Sequence, residues 1–256
     1  MKTRLLTLIC MLTISASTFA GTDLIPSKGR GRGKSSPKIS IGLSVGAGLP
    51  MGNNGKSTKQ GLGDSTLQGY AKTGIHFNLN FGYKFTDMIG VMIMAGGNLN
   101  GYNGSAFDAN VNNPAGTTVG TSHYIGSYLL GPFFNFAAGD KLTINVRILA
   151  GLMTASYSTV TETFLPGSLF QTSTQYQYGP AKTLGYDGGA GLTFNATDMV
   201  GISLGADYLG GTPVFTTFTA TYSAGNSTST PHISTNHARP LSIGIVNVSL
   251  GLVLRF

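Results

Sequence analysis

Tryptophan is absent from the 256 residues, cysteine occurs once, and charged side chains make up only 10%. Soluble domains usually carry roughly 25% charged residues. A soluble globule so short of charge has little with which to cover its surface. A disordered chain is excluded as well, because such chains are poor in Val, Ile, Leu and Phe. No stretch of 18 consecutive apolar residues follows the N-terminal region, which excludes a transmembrane helix. The lone Cys10 has Leu8 and Ile9 before it, where a lipid-anchor signal requires small residues, so neither a lipid anchor nor disulfide chemistry is expected. What is abundant is glycine, at 38 residues, in a chain of mean hydropathy +0.14. That balance suits a protein with one face in lipid and the other in water. A closed β-barrel can span a bilayer because each backbone group is paired on a neighbouring strand.

Residues 1–20 read as a signal peptide. Lys2 and Arg4 form its positive start, Leu5 to Ile14 a short apolar core, and Thr18-Phe19-Ala20 a cleavage site. Residues 21–37 follow as a basic tail, with Lys28, Arg30, Arg32 and Lys34 among glycines and serines, expected to be disordered and periplasmic. Nucleic acid is not expected as a partner, since an exported protein meets none.

From residue 38 the pattern turns to period two, the mark of strands lying between two media. The clearest run sets Ile75, Phe77, Leu79, Phe81, Tyr83 and Phe85 against His76, Asn78, Asn80, Gly82 and Lys84. Similar runs predict eight strands, near 38–50, 75–85, 88–102, 123–137, 141–157, 182–196, 199–211 and 239–256. The connections alternate in length. Thr86-Asp87, Ala138 to Asp140 and Thr197-Asp198 are tight turns, while 51–70, 103–122, 158–181 and 212–238 are long and polar. Phe85-Thr-Asp-Met-Ile-Gly-Val91 is echoed in Ala196-Thr-Asp-Met-Val-Gly-Ile202, placing two of the tight turns at equivalent corners. Aromatic residues sort into two expected belts. Tyr83, Phe85, Phe134, Phe136, Phe194 and Phe256 fall by the short turns, and Tyr70, Tyr102, Tyr124, Tyr157 and Tyr208 by the long loops. A tenth-strand alternative arises at Phe215 to Tyr222, which also alternates, although an extension of the seventh strand above the membrane is the preferred reading.

The leader, the eight strands over residues 38–256, and the final Val248-Ser-Leu-Gly-Leu-Val-Leu-Arg-Phe256 together resemble the outer-membrane β-barrel family, in plan the small OmpA- and OmpX-type barrels. The resemblance implies an all-β transmembrane up-and-down barrel of antiparallel strands in the bacterial outer membrane, with short periplasmic turns and four long extracellular loops. It implies outer-membrane lipid and lipopolysaccharide as surroundings. It also implies that Leu250, Leu252, Leu254 and Phe256 form the signal read by the barrel-assembly machinery. Leu254 departs from the tyrosine common at that place. No peptidoglycan-binding domain follows the barrel, so the wall-anchoring role of full-length OmpA proteins is not carried over.

Eight strands enclose a lumen just wide enough to be filled by side chains. Inward positions are expected to be rich in Gly, Ser, Thr and Asn and to supply a polar network of His76, Lys84, Arg147, Asp187, Asp207 and Arg255. Asp187 and Asp207 are expected nearly opposite one another, with Arg147 as the cation between them. Their role is read as structural. His232-Ile-Ser234 has the His-x-Ser spacing of barrel lipid A deacylases, but no Asp or Glu follows Asp207 to orient the histidine. His123, His232 and His237 are a weak metal signal, and no phosphate loop, dinucleotide fingerprint or zinc spacing is present. The expectation is a barrel without enzymatic activity, cofactor or metal, presenting its Tyr-, Ser- and Asn-containing loops to an extracellular glycan or protein ligand. A narrow pore for small solutes is the first alternative, and a lipid A-modifying enzyme the second.

Overall fold

The computed structural model describes residues 37–56, 68–111, 116–166, 171–224, 227–228, 232–234 and 238–256. The signal peptide and all but the last residue of the basic tail lie outside them. No helix among the described residues is long and apolar enough to cross a membrane, which says nothing of strands.

Eight antiparallel strands form one closed sheet: β1 (Ile39–Met51), β2 (Gly74–Lys84), β3 (Ile89–Asn100), β4 (His123–Ala137), β5 (Leu142–Ser156), β6 (Ala181–Asn195), β7 (Val200–Gly211) and β8 (Ile243–Arg255). Each pairs with its neighbours in sequence, and β8 pairs with β1 to close the ring. That last seam runs from Ser40↔Arg255 to Met51↔Gly244. Its end is fastened by Ile39 N–H to Phe256 O at 3.1 Å and Phe256 N–H to Ile39 O at 2.9 Å. The expected strand bounds differ from these by no more than four residues. Phe215 to Tyr222 is not a wall strand.

Alternation decides which side chain meets which medium. Leu43, Ile75, Leu79, Tyr128, Ile148, Leu204 and Leu250 point outward and are exposed, Leu79 at 53% and Leu250 at 59%. Their neighbours His76, Asn78, Asp207 and Asn247 point inward and are buried. Where an inward ring is large, the facing positions are small. Phe133 lies against Gly90, and a Cβ added at Gly90 would sit 2.5 Å from the ring.

The first and third of the short turns are built alike. Thr86 Oγ1 accepts from Met88 N–H and Ile89 N–H at 3.3 and 3.0 Å, and Thr197 Oγ1 accepts from Met199 N–H and Val200 N–H at 3.2 and 3.0 Å. The turn between β4 and β5 instead uses Gly139 at φ +148°, a conformation open to glycine alone.

Three of the long connections, 103–122, 158–181 and 212–238, are not simple loops. Gly116–Gly120, Val160–Phe164, Thr172–Tyr178, Phe218–Ala224 and Ser227–Thr228 form a second sheet in that neighbour order, with His232–Ser234 also paired to Phe218–Ala224. Helix α1 (Gly104–Val111) covers one edge. Asp108 accepts from Thr118 N–H at 3.0 Å and from Thr118 Oγ1–H at 2.5 Å, occupying backbone that would otherwise be an open sheet edge. The seventh strand is thus not extended upward. The chain breaks after Gly211, and residues 218–224 join the third long connection instead, through the register Phe218↔Tyr178 to Ala224↔Thr172.

Candidate functional site: the lumen and its cap

The long-loop half of the lumen holds an apolar core beside the buried carboxamides of Asn98 and Asn100. Met94, Ile125, Leu129, Leu149, Met153, Leu209, Ile243 and Ile245 converge from the walls, and Phe215 and Leu241 descend from the cap, all at most 2% exposed. Phe215 and Leu241 are carried by the short pairing of Val214–Phe215 with Arg239–Pro240, held by Leu241 N–H to Pro213 O at 3.0 Å. Inward Gly, Ser, Thr and Asn occur as expected, Asn98, Asn100 and Ser127 among them, but in the long-loop half they are joined by an apolar core. The long connections return apolar side chains to the mouth, and burying them there removes them from water.

Below this core lies the charged layer. Arg147 Nε donates to Asp187 Oδ1 at 2.9 Å and Arg147 Nη2 donates to Asp207 Oδ1 at 2.6 Å. Asp207 also accepts from Asn247 Nδ2 at 2.8 Å. Asp187 is paired with Leu209 and Asp207 with Gly189, so the carboxylates stand one diagonal step apart rather than nearly opposite. Gly189 makes this possible, since a Cβ there would lie 2.7 Å from that of Asp207. His76 Nε2 lies 3.1 Å from Asn78 Nδ2, whose Oδ1 accepts from Asn80 at 3.3 Å. Lys84 and Arg255 are not in this layer. They lie lower, near the short turns, where Arg255 Nη1 donates to Asn195 Oδ1. The six inward polar residues are thus split between two levels.

Above the apolar core the cap has its own interior. Tyr70 and Phe107 meet edge to face at 5.4 Å, His123 and Tyr157 at 4.8 Å, and Tyr157 and Tyr178 at 5.2 Å. Tyr157 Oη donates to Gln68 O at 2.6 Å. Tyr70, Tyr102 and Tyr157, expected in the outer aromatic belt, lie inside the cap instead, Tyr70 at 2% and Tyr102 at 7% exposed. The outer belt is made by Tyr124, Tyr128, Tyr186 and Tyr208, which remain exposed on the wall. Burial raises the Glu162 carboxyl above its ordinary range, against a hydrogen bond from Tyr176 Oη that lowers it. Among the described residues the cap sheet's remaining face carries Thr161, Thr163, Ser173, Gln175, Gln177 and Thr221 beside the exposed Val119.

His232 is exposed on its short cap strand, and His123 is buried against Tyr157, so the structure does not bring these two together. His237 lies outside the described residues. Among the described residues no three His, Cys, Asp or Glu side chains cluster as metal ligands.

A closed ring of eight strands carries an apolar outer band, short turns on one rim and long connections on the other. The chain shares the plan of the small outer-membrane barrels. No family model matches this barrel, and no curated protein does. Solved structures do resemble it. Ail, the attachment invasion locus protein of Yersinia pestis, is 16% identical over 87% of this chain and 100% of its own, with a TM-score of 0.41. A major outer membrane protein from Thermus thermophilus is 12% identical over 85% and 99%, with a TM-score of 0.47. The outer membrane protease OmpT from Escherichia coli is 9% identical over 88% and 99%, with a TM-score of 0.45. Such values bear on neither activity nor ligand, and the fold rests on the closed strand pairing itself.

Sequence reasoning missed the cap sheet and the apolar outer core. The one available signal is Phe215 to Tyr222, which alternates without an evident partner strand. Thr172–Tyr178 alternates only weakly, Ser and Gln against Thr and Tyr, and its pairing joins residues about 45 apart.

Proposed function

We propose that this barrel resides in the bacterial outer membrane, exported by a cleaved signal peptide, and that its working part is the folded cap. Its role is structural or surface interaction, with an extracellular glycan or protein as the ligand class, and no catalysis. The observation that carries the reading is the pair of cores stacked at the long-loop mouth. The apolar plug around Phe215 and Leu241 joins the paired connections of the cap to the core of the barrel. Lipid and lipopolysaccharide contact the outward apolar band. Leu250, Leu252, Leu254 and Phe256, exposed in a row at the end of the chain, serve the barrel-assembly machinery as the strand it reads. The inward network of His76, Lys84, Arg147, Asp187, Asp207 and Arg255 holds the wall strands together.

The pore alternative is opposed by the filled outer half of the lumen. The lipid A enzyme alternative is opposed by the exposure of His232 and by the absence of any carboxylate side chain after Asp207. Two measurements test the proposal. An epitope inserted after Pro166 should be stained on intact cells, and one inserted after Gly139 only after permeabilisation. The refolded protein in planar bilayers should give no conductance steps above background. The opposite staining pattern refutes the orientation, and regular steps refute the closed lumen.

A further inference from the structure

Where the cap meets the wall, an imidazole is enclosed without an ionic partner. His123 opens β4 just before Tyr124, whose ring belongs to the outer aromatic belt. It therefore lies on the water side of the lipid boundary, at the foot of the cap. It is 2% exposed, and its Nε2 has no hydrogen-bond partner. Among the described residues the groups packed against it are neutral. Tyr157, just past the end of β5, meets it edge to face at 4.8 Å, and Tyr102, beyond β3, lies at 6.0 Å. Asn100, its partner across the sheet, brings a carboxamide. Behind Tyr102 stands Tyr70 of the first long connection, at 5.9 Å. The neighbour that favours a charged ring is the Gly69 carbonyl. Asp108 and Glu162, the carboxylates of this part of the cap, act on Tyr102 and not on His123. The Lys72 side chain is exposed.

We infer that His123 is an acid-sensitive latch, holding the first long connection against the wall rim when neutral and releasing it when protonated. The segment it holds is fastened at several points around Gly69. Tyr157 Oη donates to Gln68 O at 2.6 Å, Ala71 N–H to Asn54 O at 3.0 Å and Asn103 N–H to Tyr70 O at 2.8 Å. A charge placed here meets rings and the carboxamides of Gln68 and Asn54, 5% and 0% exposed, but no counter-ion. Taking an unpaired charge out of water costs far more than taking the neutral ring. Burial accordingly pushes the His123 imidazole down to about 4, against an ordinary value of about 6.5. The stability it contributes is full above the ordinary value and is lost as pH falls toward the lowered one. An open foot hydrates the ring and takes up the proton. Each pH unit within that window shifts the equilibrium up to about tenfold toward the open form. Glu162 responds in the opposite sense, since acid leaves its carboxyl in the neutral form that burial favours. The loosening therefore belongs to the foot of the cap and not to its sheet. The inference rests on the burial of His123 and not on what the cap binds.

The chain has no tryptophan, so Phe107→Trp, on α1 against Tyr70 and Tyr102, supplies a single fluorescent reporter. The protein is refolded in uncharged detergent, with folding checked by heat-modifiable gel migration. Quenching by acrylamide, a neutral probe, is then followed as pH is lowered. With His123 in place, quenching should be low at neutral pH and rise below about pH 6. His123→Gln in the same background should keep the low neutral value and remove the rise. Thr221→Ala, in the cap sheet, should leave the rise in place. Should His123→Gln be quenched already at neutral pH, His123→Phe, which fills the same aromatic site, decides. The inference is overturned if the reporter shows no acid rise with His123 present. It is overturned as well if neither folded variant suppresses the rise while staying closed at neutral pH, an outcome that assigns it to another group such as His76.

Discussion

At the scale of single residues, burial makes two side chains decisive in opposite ways. Arg147 bridges two carboxylates that are each 1% exposed. Removing one partner of a buried ion pair leaves uncompensated charge, at a cost of about 3–5 kcal/mol. Arg147→Ala should lower stability by that amount in urea unfolding of the barrel in detergent, while Arg255→Ala, whose partner is neutral, should cost clearly less. Glu162 is the reverse case, since its burial in the cap favours the neutral form. Its folded pKa is raised, so the unfolded state loses the proton first as pH rises. Stability therefore falls with rising pH through the window from the ordinary carboxylate range up to the raised value, and stays lowered above it. Glu162→Gln should slow proteolysis of the cap at neutral pH and make no difference under acid conditions where the carboxyl is already protonated. The residue types at these positions are readable from the sequence, and so is the place of Arg147 between the two aspartates. Their diagonal offset is not, because strand register is set by turn geometry and by the room that Gly189 leaves.

At the scale of elements, each wall strand is a two-sided object, and substitution should respect its sides. Arginine at Leu79 or Leu250, both outward and exposed, should cost about 2–4 kcal/mol, as expected for a cation at mid-membrane depth on a lipid face. The heat-modifiable folded band should diminish for both. A polar change at Asn80, facing the lumen, should leave that band intact. The two Thr-Asp turns are equivalent in sequence and in hydrogen bonding, so Thr86→Ala and Thr197→Ala should each cost about 1 kcal/mol, the net value of such a bond, measurable as similar shifts in unfolding midpoint. These strands are legible because period two persists along most of their length. The cap strands are not, because they are mostly five to seven residues of Thr, Ser and Gln whose two faces differ little in polarity. Tyr70 and Tyr157 are misplaced by sequence reasoning for a related reason, as an aromatic ring suits a lipid boundary and a protein interior equally well.

At the scale of the whole molecule, wall and cap are separate hydrogen-bonded sheets that meet through side chains around Phe215. Replacing residues 160–178 with a short linker should therefore leave β1 to β8 able to close, with heat-modifiable migration retained, while proteolysis of the remaining cap accelerates. Loss of the folded band in that variant would mean that the cap is required for closure. The linear pattern by itself determined the number of wall strands, their order and the medium each side chain meets, because alternation and turn chemistry act between near neighbours in the chain. Only the tertiary structure decided that three of the long connections pair with one another, that the outer lumen holds an apolar core, and that the inward cations divide between two levels. Those outcomes depend on contacts between residues far apart in the chain, whose energy appears only once the ring has closed and brought them together.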